Sequence, residues 1–416
     1  MGSRSFRLWG VLVPLVAAVL CAQPVFAGGF YVTEVGTPGS LGTAGVANPT
    51  NNFGPDSAWT NPAGMTGLDQ DAIVSGMQLI IPWIEFDPEI AEAGGSDGGN
   101  AGVLTPAPSF FGVKVISDRL RLGIGVNGMM GGGVDYGDQF VGRYSANKAI
   151  LTGIGLSPSF GYRVNDRLSL GAGLSVIYTM LDEEISIRQP GRADAQASFD
   201  KIDDIGFQGF FGLQYALSEQ ALLGVVYRTE SEVDLSGDLV FSGLAIPFSP
   251  DGSIDVGWDN PQTLNIGLRY HLNDRLALVA NVDWEDWSAF SKNQLAVSVG
   301  PVGSVGTIDR NWKDTYHGGL GLIYRSNVHS FSAGVSYDSS PVDDADRTFD
   351  LPVDEQFKFS AGYFRDREKG PDFAVGMTLM YAGENAIDQT SQGVRAKGEF
   401  DTNLLLFVGA TMRHQF

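Results

Sequence analysis

The chain has 416 residues, with 27 Lys and Arg against 48 Asp and Glu, and its formal net charge is −21. This acidic balance excludes a nucleic-acid-binding protein, which needs a basic surface. The chain also carries 25 Phe, 13 Tyr and 7 Trp, too many aromatic residues to stay solvated in a disordered protein.

Residues 1–27 have the pattern of a secretory signal peptide. Arg4 and Arg7 precede an apolar run from Leu8 to Leu20, and the segment ends in the small residue Ala27. The apolar run is too short to cross a bilayer. The single cysteine of the chain, Cys21, lies inside this segment, and Leu20 before it is larger than a lipid-attachment site prefers. We therefore predict an exported mature chain with neither a disulfide nor thiol chemistry.

Residues 28–71 show no regular hydrophobic period and are rich in Gly and Pro. The segment nevertheless carries more apolar anchors than a solvated tail does. They are Phe30, Tyr31, Leu41, Phe53, Trp59 and Met65. We predict a compact hatch (plug) inside a barrel, because a barrel of many strands has a lumen that side chains alone do not fill. A disordered periplasmic tail is the alternative.

Residues 72–416 contain no apolar stretch near 18 residues, which excludes a membrane helix. Apolar and polar residues alternate instead, for example from Ser169 to Met180 and from Thr263 to Leu272. A period of two predicts strands with one apolar face. A soluble β-sandwich would alternate too. Three features favour a membrane barrel over it: long strands against a usual length of about 5–6 residues, a second face rich in Gly and Ser, and a final strand ending in Phe416.

The pattern predicts an all-β fold, a fourteen-stranded antiparallel transmembrane β-barrel. Six connections are short and rich in Asn, Asp and Ser, and they alternate with seven long polar loops. Short turns belong to the periplasmic rim and long loops to the outside. The predicted strands are 72–88, 103–117, 119–131, 147–164, 166–187, 203–217, 220–241, 261–272, 275–299, 312–325, 328–339, 354–366, 371–384 and 398–416.

The inward face of the predicted barrel is unusually apolar for a diffusion pore, whose lumen is polar. The alternation places six large apolar side chains inside: Phe110, Ile177, Phe210, Met380, Leu405 and Phe407. They favour a pocket for a hydrophobic ligand, with packing against the hatch as the alternative. Arg228, Arg269 and Lys148 also face inward on this pattern. They could meet a ligand carboxylate or pair with acidic residues across the lumen.

The predicted mature chain starts Gly28-Gly29-Phe30, and Asn61-Pro62-Ala63-Gly64 precedes the first strand. These short motifs resemble the FadL-type outer-membrane transporters, a family of long-chain fatty acid channels and aromatic-hydrocarbon importers. The segment from Asp283 to Phe290 is similar to an Asp-Trp-Ser segment of the same family. The resemblance covers essentially the whole mature chain, although matching motifs are confined to short stretches.

The resemblance implies passive transport of hydrophobic molecules across the bacterial (Gram-negative) outer membrane. It implies capture by the outer loops, binding in a lumen pocket bordered by Phe30, and lateral exit through a kinked third strand. We assign the hatch motif to Asn61, Pro62, Ala63 and Gly64, and the kink to Gly131, Gly132 and Gly133; a plain loop start is the alternative for that glycine run. The predicted ligand-binding residues are Phe30, Phe110, Ile177, Phe210, Met380, Phe407 and Arg228.

Long-chain fatty acids are the first predicted cargo, and monoaromatic or alkane hydrocarbons are the second. The chain is predicted to be a monomer whose partners are this ligand, outer-membrane lipid and lipopolysaccharide, without nucleic acid. No zinc-ligand spacing, phosphate-binding loop or serine motif is present, so no metal, cofactor or catalytic residue is predicted. Of the four histidines, only His317, near Asp314, suggests an acid–base pair, and an enzyme and a general porin are weaker alternatives.

Overall fold

A computed structural model describes residues 34–37, 39–244, 252–299, 302–366 and 371–416. The predicted signal peptide and Phe30 lie outside these residues. No helix within the described part of the chain is both long and apolar enough to cross a membrane.

Residues 34–71 contain only short helical turns. The one α-helix among the described residues, α1, spans Ser57–Thr60, and 3₁₀ turns span Leu41–Thr43, Asn48–Thr50 and Pro62–Gly67. A further 3₁₀ turn, Trp287–Ser291, lies between two strands.

Nineteen strands make up most of the remaining described chain. They are β1 (Ala72–Ala91), β2 (Thr105–Val115), β3 (Leu120–Asp135), β4 (Lys148–Arg163), β5 (Leu168–Ile187), β6 (Ala195–Ala216), β7 (Ala221–Arg228), β8 (Ser231–Ser242), β9 (Gly252–Asn260), β10 (Thr263–His271), β11 (Leu276–Glu285), β12 (Lys292–Val299), β13 (Val302–Asp309), β14 (Thr315–Ser326), β15 (His329–Asp338), β16 (Gln356–Arg365), β17 (Asp372–Tyr381), β18 (Ile387–Ser391) and β19 (Val394–Gln415).

Alternation along each strand separates an outer face from an inner face. In β5, Leu174 and Tyr178 are more than 40% exposed, whereas Ser175, Ile177 and Thr179 are fully buried. The large exposed side chains are therefore apolar and point outward, and the small or polar ones point inward. This is the inverse of a soluble sheet and suits a wall whose outer face contacts lipid.

The strands form one closed antiparallel sheet, because the last strand pairs with the first. The closing register runs from Ala72–Gln415 to Ala91–Ala396 between β1 and β19. Away from this seam, most consecutive strands pair as neighbours. The non-consecutive pairs among the described strands join β6 to β8, β7 to β10, β9 to β12, β11 to β14 and β17 to β19. The all-β barrel architecture is therefore present without a free edge.

The predicted number of strands, fourteen, is wrong, since the described residues form nineteen. The predicted strand 220–241 breaks into β7 and β8, and the predicted strand 275–299 breaks at the 3₁₀ turn Trp287–Ser291. Segments predicted as loops contain β9, β13 and β18. The physical reason is that the backbone of long loops needs hydrogen-bond partners and finds them in neighbouring loops. Here β8 pairs with β9, β9 with β12, and β12 with β13, which extends the wall beyond the longer strands.

Four short turns share one local design, and all four were predicted from sequence. Each begins with a Ser or Asn whose side-chain oxygen accepts the backbone N–H groups two and three residues later. Such side-chain bonds stabilise a tight turn without help from the rest of the fold. The first residues of these turns are Ser117, Asn165, Ser218 and Asn273.

Candidate functional site

Residues 39–68 pack against the inner wall on all sides. The turn Leu41–Thr43 contacts β14 to β17, the turn Asn48–Thr50 contacts β6, β7 and β10, and the turn Pro62–Gly67 contacts β3 to β6. Nearly all of these residues are buried. We refer to residues 34–71 as the hatch.

Glycines of the wall let the hatch backbone approach closely. A Cβ added at Gly171 would lie 2.5 Å from the backbone nitrogen of Ala63, and one at Gly224 would lie 1.9 Å from the carbonyl oxygen of Pro49. Within the hatch, a Cβ added at Gly64 would lie 1.8 Å from the oxygen of Asn51. These positions therefore require glycine, because a larger residue would overlap backbone atoms of the hatch.

The hatch motif docks through Asn61, which is fully buried. Its Nδ2 donates to the carbonyl oxygen of Pro49 at 2.6 Å and to that of Leu213 in β6 at 3.2 Å. Its Oδ1 accepts the backbone N–H of Ala63 at 3.1 Å. Asn61 thus joins two parts of the hatch to the wall, a role that needs both a donor and an acceptor on one short side chain.

The cationic residues predicted to face the lumen are already engaged. Arg228 donates to the carbonyl oxygen of Trp59 at 2.8 Å, and its guanidinium lies 4.4 Å from the ring centre of Trp59. Arg269 donates to the carbonyl oxygen of Thr50 at 3.0 Å. Lys148 forms an ion pair with Asp182 at 2.8 Å. Arg228 and Arg269 therefore hold the hatch in this structure.

A cavity of about 520 Å³ lies in the outer half of the lumen. Its walls are largely aliphatic and aromatic, which suits removal of an apolar ligand from water. Leu41 of the hatch belongs to one apolar cluster with four residues that line this cavity, Ile80, Met380, Ala382 and Phe407. The hatch therefore borders one side of the cavity.

The predicted ligand-binding residues fall into three groups: residues that line the cavity, residues that pack near the hatch, and Phe110. Met380 and Phe407 line the cavity, as does Leu405. Ile177 is buried with Trp59 of the hatch, and Phe210 lies beneath the guanidinium of Arg228.

Phe110 is 39% exposed on the outer face, so its predicted inward orientation is wrong. The neighbouring Phe111 is fully buried and packs with Trp59 instead. A shift of one residue exchanges the faces of a strand, and adjacent phenylalanines gave no means of choosing between them.

Charged groups at the cavity are few. Among the described lining residues they are Glu183, Arg310 and Asp350. Arg310 forms an ion pair with Asp350 at 2.7 Å and donates to Asn293 at 2.6 Å. Burial alone would raise the pKa of Asp350, but the adjacent guanidinium and its hydrogen bonds hold that pKa below its usual value. Sequence patterns missed this pair because both residues lie in loops without a regular period.

The wall opens beside the cavity between β2 and β3. Their register runs only from Phe110–Val126 to Val115–Arg121, although β2 continues to pair with β1 as far as Thr105. The next bridge across the opening joins Gly102 to Val134. Gly131, Gly132 and Gly133 border this stretch and line the cavity.

Two local features account for the opening. Pro106 and Pro108 of β2 lack a backbone N–H, and because they lie two residues apart, both missing donors face the same neighbour. In β3, the register shifts between Gly128 and Met130, so that Met129 and Met130 are both buried. The irregularity therefore precedes the glycine run to which we assigned the kink, and β3 continues through that run to Asp135.

No group of three or more His, Cys, Asp or Glu within the described ranges is arranged to hold a metal ion. His317, the histidine considered for acid–base chemistry, contacts Asp338 at 2.9 Å and Asn281 at 3.2 Å inside a buried polar network.

Comparison with known proteins agrees with this architecture. The model of the family described as outer membrane protein transport protein (OMPP1/FadL/TodX) matches residues 18–416. A long-chain fatty acid transport protein of Escherichia coli is 23% identical over 415 residues, 88% of this chain and 90% of that protein. An outer membrane protein of Neisseria meningitidis is 28% identical over 405 residues, 84% of this chain and 85% of that protein.

Two solved structures have the same fold. A FadL homologue of Pseudomonas aeruginosa superposes with a TM-score of 0.84 at 22% identity, covering 94% of this chain and all of that one. The toluene transporter TodX of Pseudomonas putida superposes with a TM-score of 0.70 at 19% identity, covering 87% of this chain and 94% of that one. The family consists of outer-membrane transport proteins rather than enzymes, and this chain belongs to that OMPP1/FadL/TodX family of the Gram-negative outer membrane.

Proposed function

We propose that this protein carries long-chain fatty acids, or as the second candidate monoaromatic or alkane hydrocarbons, passively across the outer membrane. The observation that supports this proposal most directly is the apolar cavity of about 520 Å³. The hatch borders it on one side, and it meets an opening in the wall. Each buried CH₂ group of a ligand would contribute about 0.8 kcal/mol to binding. The names of the E. coli relative and of the P. putida structure support the two candidate cargoes.

The proposed route has three steps. The outer loops capture the ligand, the cavity binds it, and it leaves sideways between β2 and β3 toward the membrane. Met380 and Phe407 are the predicted contacts that line the cavity. The protein acts as a monomer in contact with outer-membrane lipid and lipopolysaccharide.

One observation favours the uncharged second cargo. Arg310 is the one cation among the described residues that line the cavity, and Asp350 already pairs with it. A fatty carboxylate entering the cavity therefore meets no cation without a partner there. A neutral hydrocarbon needs none.

Cargo is tested by uptake of radiolabelled oleate and toluene in a Gram-negative strain that lacks its own transporters of this family. We expect the expressed protein to accelerate oleate entry, because its long chain buries the most apolar surface. Entry of toluene alone would make hydrocarbons the cargo. Entry of a small sugar would contradict the closed lumen, and unchanged entry of both hydrophobic compounds would contradict the proposed function.

Lateral exit is tested by closing the gap with a disulfide. A Cβ added at Gly128 would lie 3.7 Å from that of Ala107 at the edge of the opening, just past the last pair Phe110–Val126, which matches the Cβ separation of a disulfide. The predicted mature chain has no other cysteine. We expect the pair Ala107→Cys and Gly128→Cys to lose uptake when oxidised and to regain it on reduction.

The two single-cysteine variants are the matched controls, and their uptake should not respond to oxidant. Full uptake by the oxidised pair, with the disulfide verified by mass spectrometry, would place the exit elsewhere.

A further inference from the structure

A buried ion pair ties the beginning of the described hatch to the wall. Nζ of Lys358 in β16 lies 2.9 Å from Oε1 of Glu34, and the two side chains are 3% and 1% exposed. Removing two charges from water costs several kcal/mol per ion. Burying this ion pair therefore costs free energy of folding, which indicates that the pair has a role beyond packing.

This ion pair lies next to the cavity. Lys358 is the register partner of Met380 in β17 and shares the inner face of β16 with Gln356, two residues earlier. Met380 and Gln356 both line the cavity. Lys358 is thus a cation directly beside residues that line the apolar cavity.

Lys358 also contacts the wall through Asp338, whose Oδ2 lies 3.3 Å away. The other oxygen of Asp338 contacts His317 at 2.9 Å. Asp338 therefore has a second basic partner within the wall, and Glu34 is joined to the wall by its ion pair with Lys358. The 2.9 Å separation of Oε1 of Glu34 from Nζ of Lys358 is that of a charge-assisted contact.

We propose that Lys358 is the residue that recognises a ligand carboxylate, and that Glu34 occupies its place while no such ligand is bound. This inference rests on the proposed transport function. The exchange leaves the charge around Lys358 unchanged, because one carboxylate departs as another arrives. A carboxylate that arrived without displacing Glu34 would add an uncompensated charge to a buried site.

The test compares hexadecanoate with hexadecanol, which share a chain but differ in charge, by calorimetric binding to the purified full-length protein in detergent at pH 8. Glu34→Gln removes the competing carboxylate and should raise hexadecanoate affinity by about tenfold, the effect of one charge-assisted contact. Hexadecanol affinity should stay the same. Lys358→Met should weaken hexadecanoate binding, and Lys358→Arg should retain it.

Asp372→Asn is the matched control, because it breaks another ion pair, that of Asp372 with Arg413 at 2.7 Å, outside the cavity lining. It should leave the ratio of the two affinities unchanged. Heat-modifiable migration on gels verifies that each variant is folded, and Glu34→Gln keeps the test available if Lys358→Met does not fold.

An unchanged affinity ratio in Glu34→Gln, or equal hexadecanoate binding by wild type and folded Lys358→Met, would overturn the assignment of Lys358. Hexadecanol binding by the wild type keeps the transport proposal intact in that case. Binding of neither ligand by the wild type would instead overturn the transport proposal itself, together with the inference that rests on it.

Discussion

Deleting residues 28–67 is expected to turn a closed barrel into one that conducts ions. The described residues of this segment contact strands around the whole inner wall, from β2 to β17, and nearly all are buried. Leu41 of this segment packs into the apolar cluster of residues that line the cavity. Planar-bilayer recording should show steady single-channel currents for the deletion variant and only background for the full-length mature protein.

The strands carry the fold without the deleted segment, because the barrel closes through the pairing of β1 with β19. Heat-modifiable migration on gels should therefore be retained and serves as the control for folding. A folded deletion variant with background conductance would contradict the assignment of residues 34–71 as a hatch.

The substitution Gly224→Val should displace the hatch while leaving the wall intact. The added Cβ would lie 1.9 Å from the carbonyl oxygen of Pro49 and 2.4 Å from its carbonyl carbon. These are backbone atoms of the hatch, so the overlap is not relieved by a side-chain rotation. Overpacking of this kind costs about 1–3 kcal/mol, and it also moves the oxygen that accepts the bond from Asn61.

We expect intermittent ion currents and a lower midpoint of unfolding for this variant. Valine itself is well accommodated in a strand, so assembly into the membrane should be normal. Gly318→Val is the matched control: a Cβ added there has no atom within 4 Å, and the position shares the outward face of β14 with Tyr316 and Leu320. Currents in the control as large as those in Gly224→Val would rule out the close approach of Pro49 as the cause.

Much of the wall follows from local patterns. Alternation of apolar and polar residues depends only on which atoms face lipid, so it identified an all-β barrel and the inward orientation of Ile177, Phe210, Met380 and Phe407. The Ser and Asn corners were predictable because their side chains bond to their own turn. The predicted orientation of Phe110 was wrong for the opposite reason. Because Phe111 lies beside it, only the register with neighbouring strands decides which ring points inward.

The predicted number of strands was wrong because the strands within long loops depend on pairing with other segments of the chain. β9 and β13 form through pairing with β8 and β12, which come from the predicted strands 220–241 and 275–299. No alternation of apolar and polar residues within segment 242–260 or segment 300–311 predicts this pairing. The opening beside β3 was only partly predictable: the glycine run marked the region, whereas the irregularity lies at Gly128–Met130 and Pro106 and Pro108 of β2 contribute to it.

The sequence by itself determined the class of protein, because side-chain chemistry along one strand records whether its surroundings are lipid or lumen. It also indicated the hatch, through apolar residues in a segment without a period. Only the tertiary structure decided which charged groups meet at the cavity lining and beside it. Arg310 with Asp350 and Lys358 with Glu34 join residues 40 and 324 positions apart, and such contacts depend on the closure of the barrel around the hatch rather than on any local pattern.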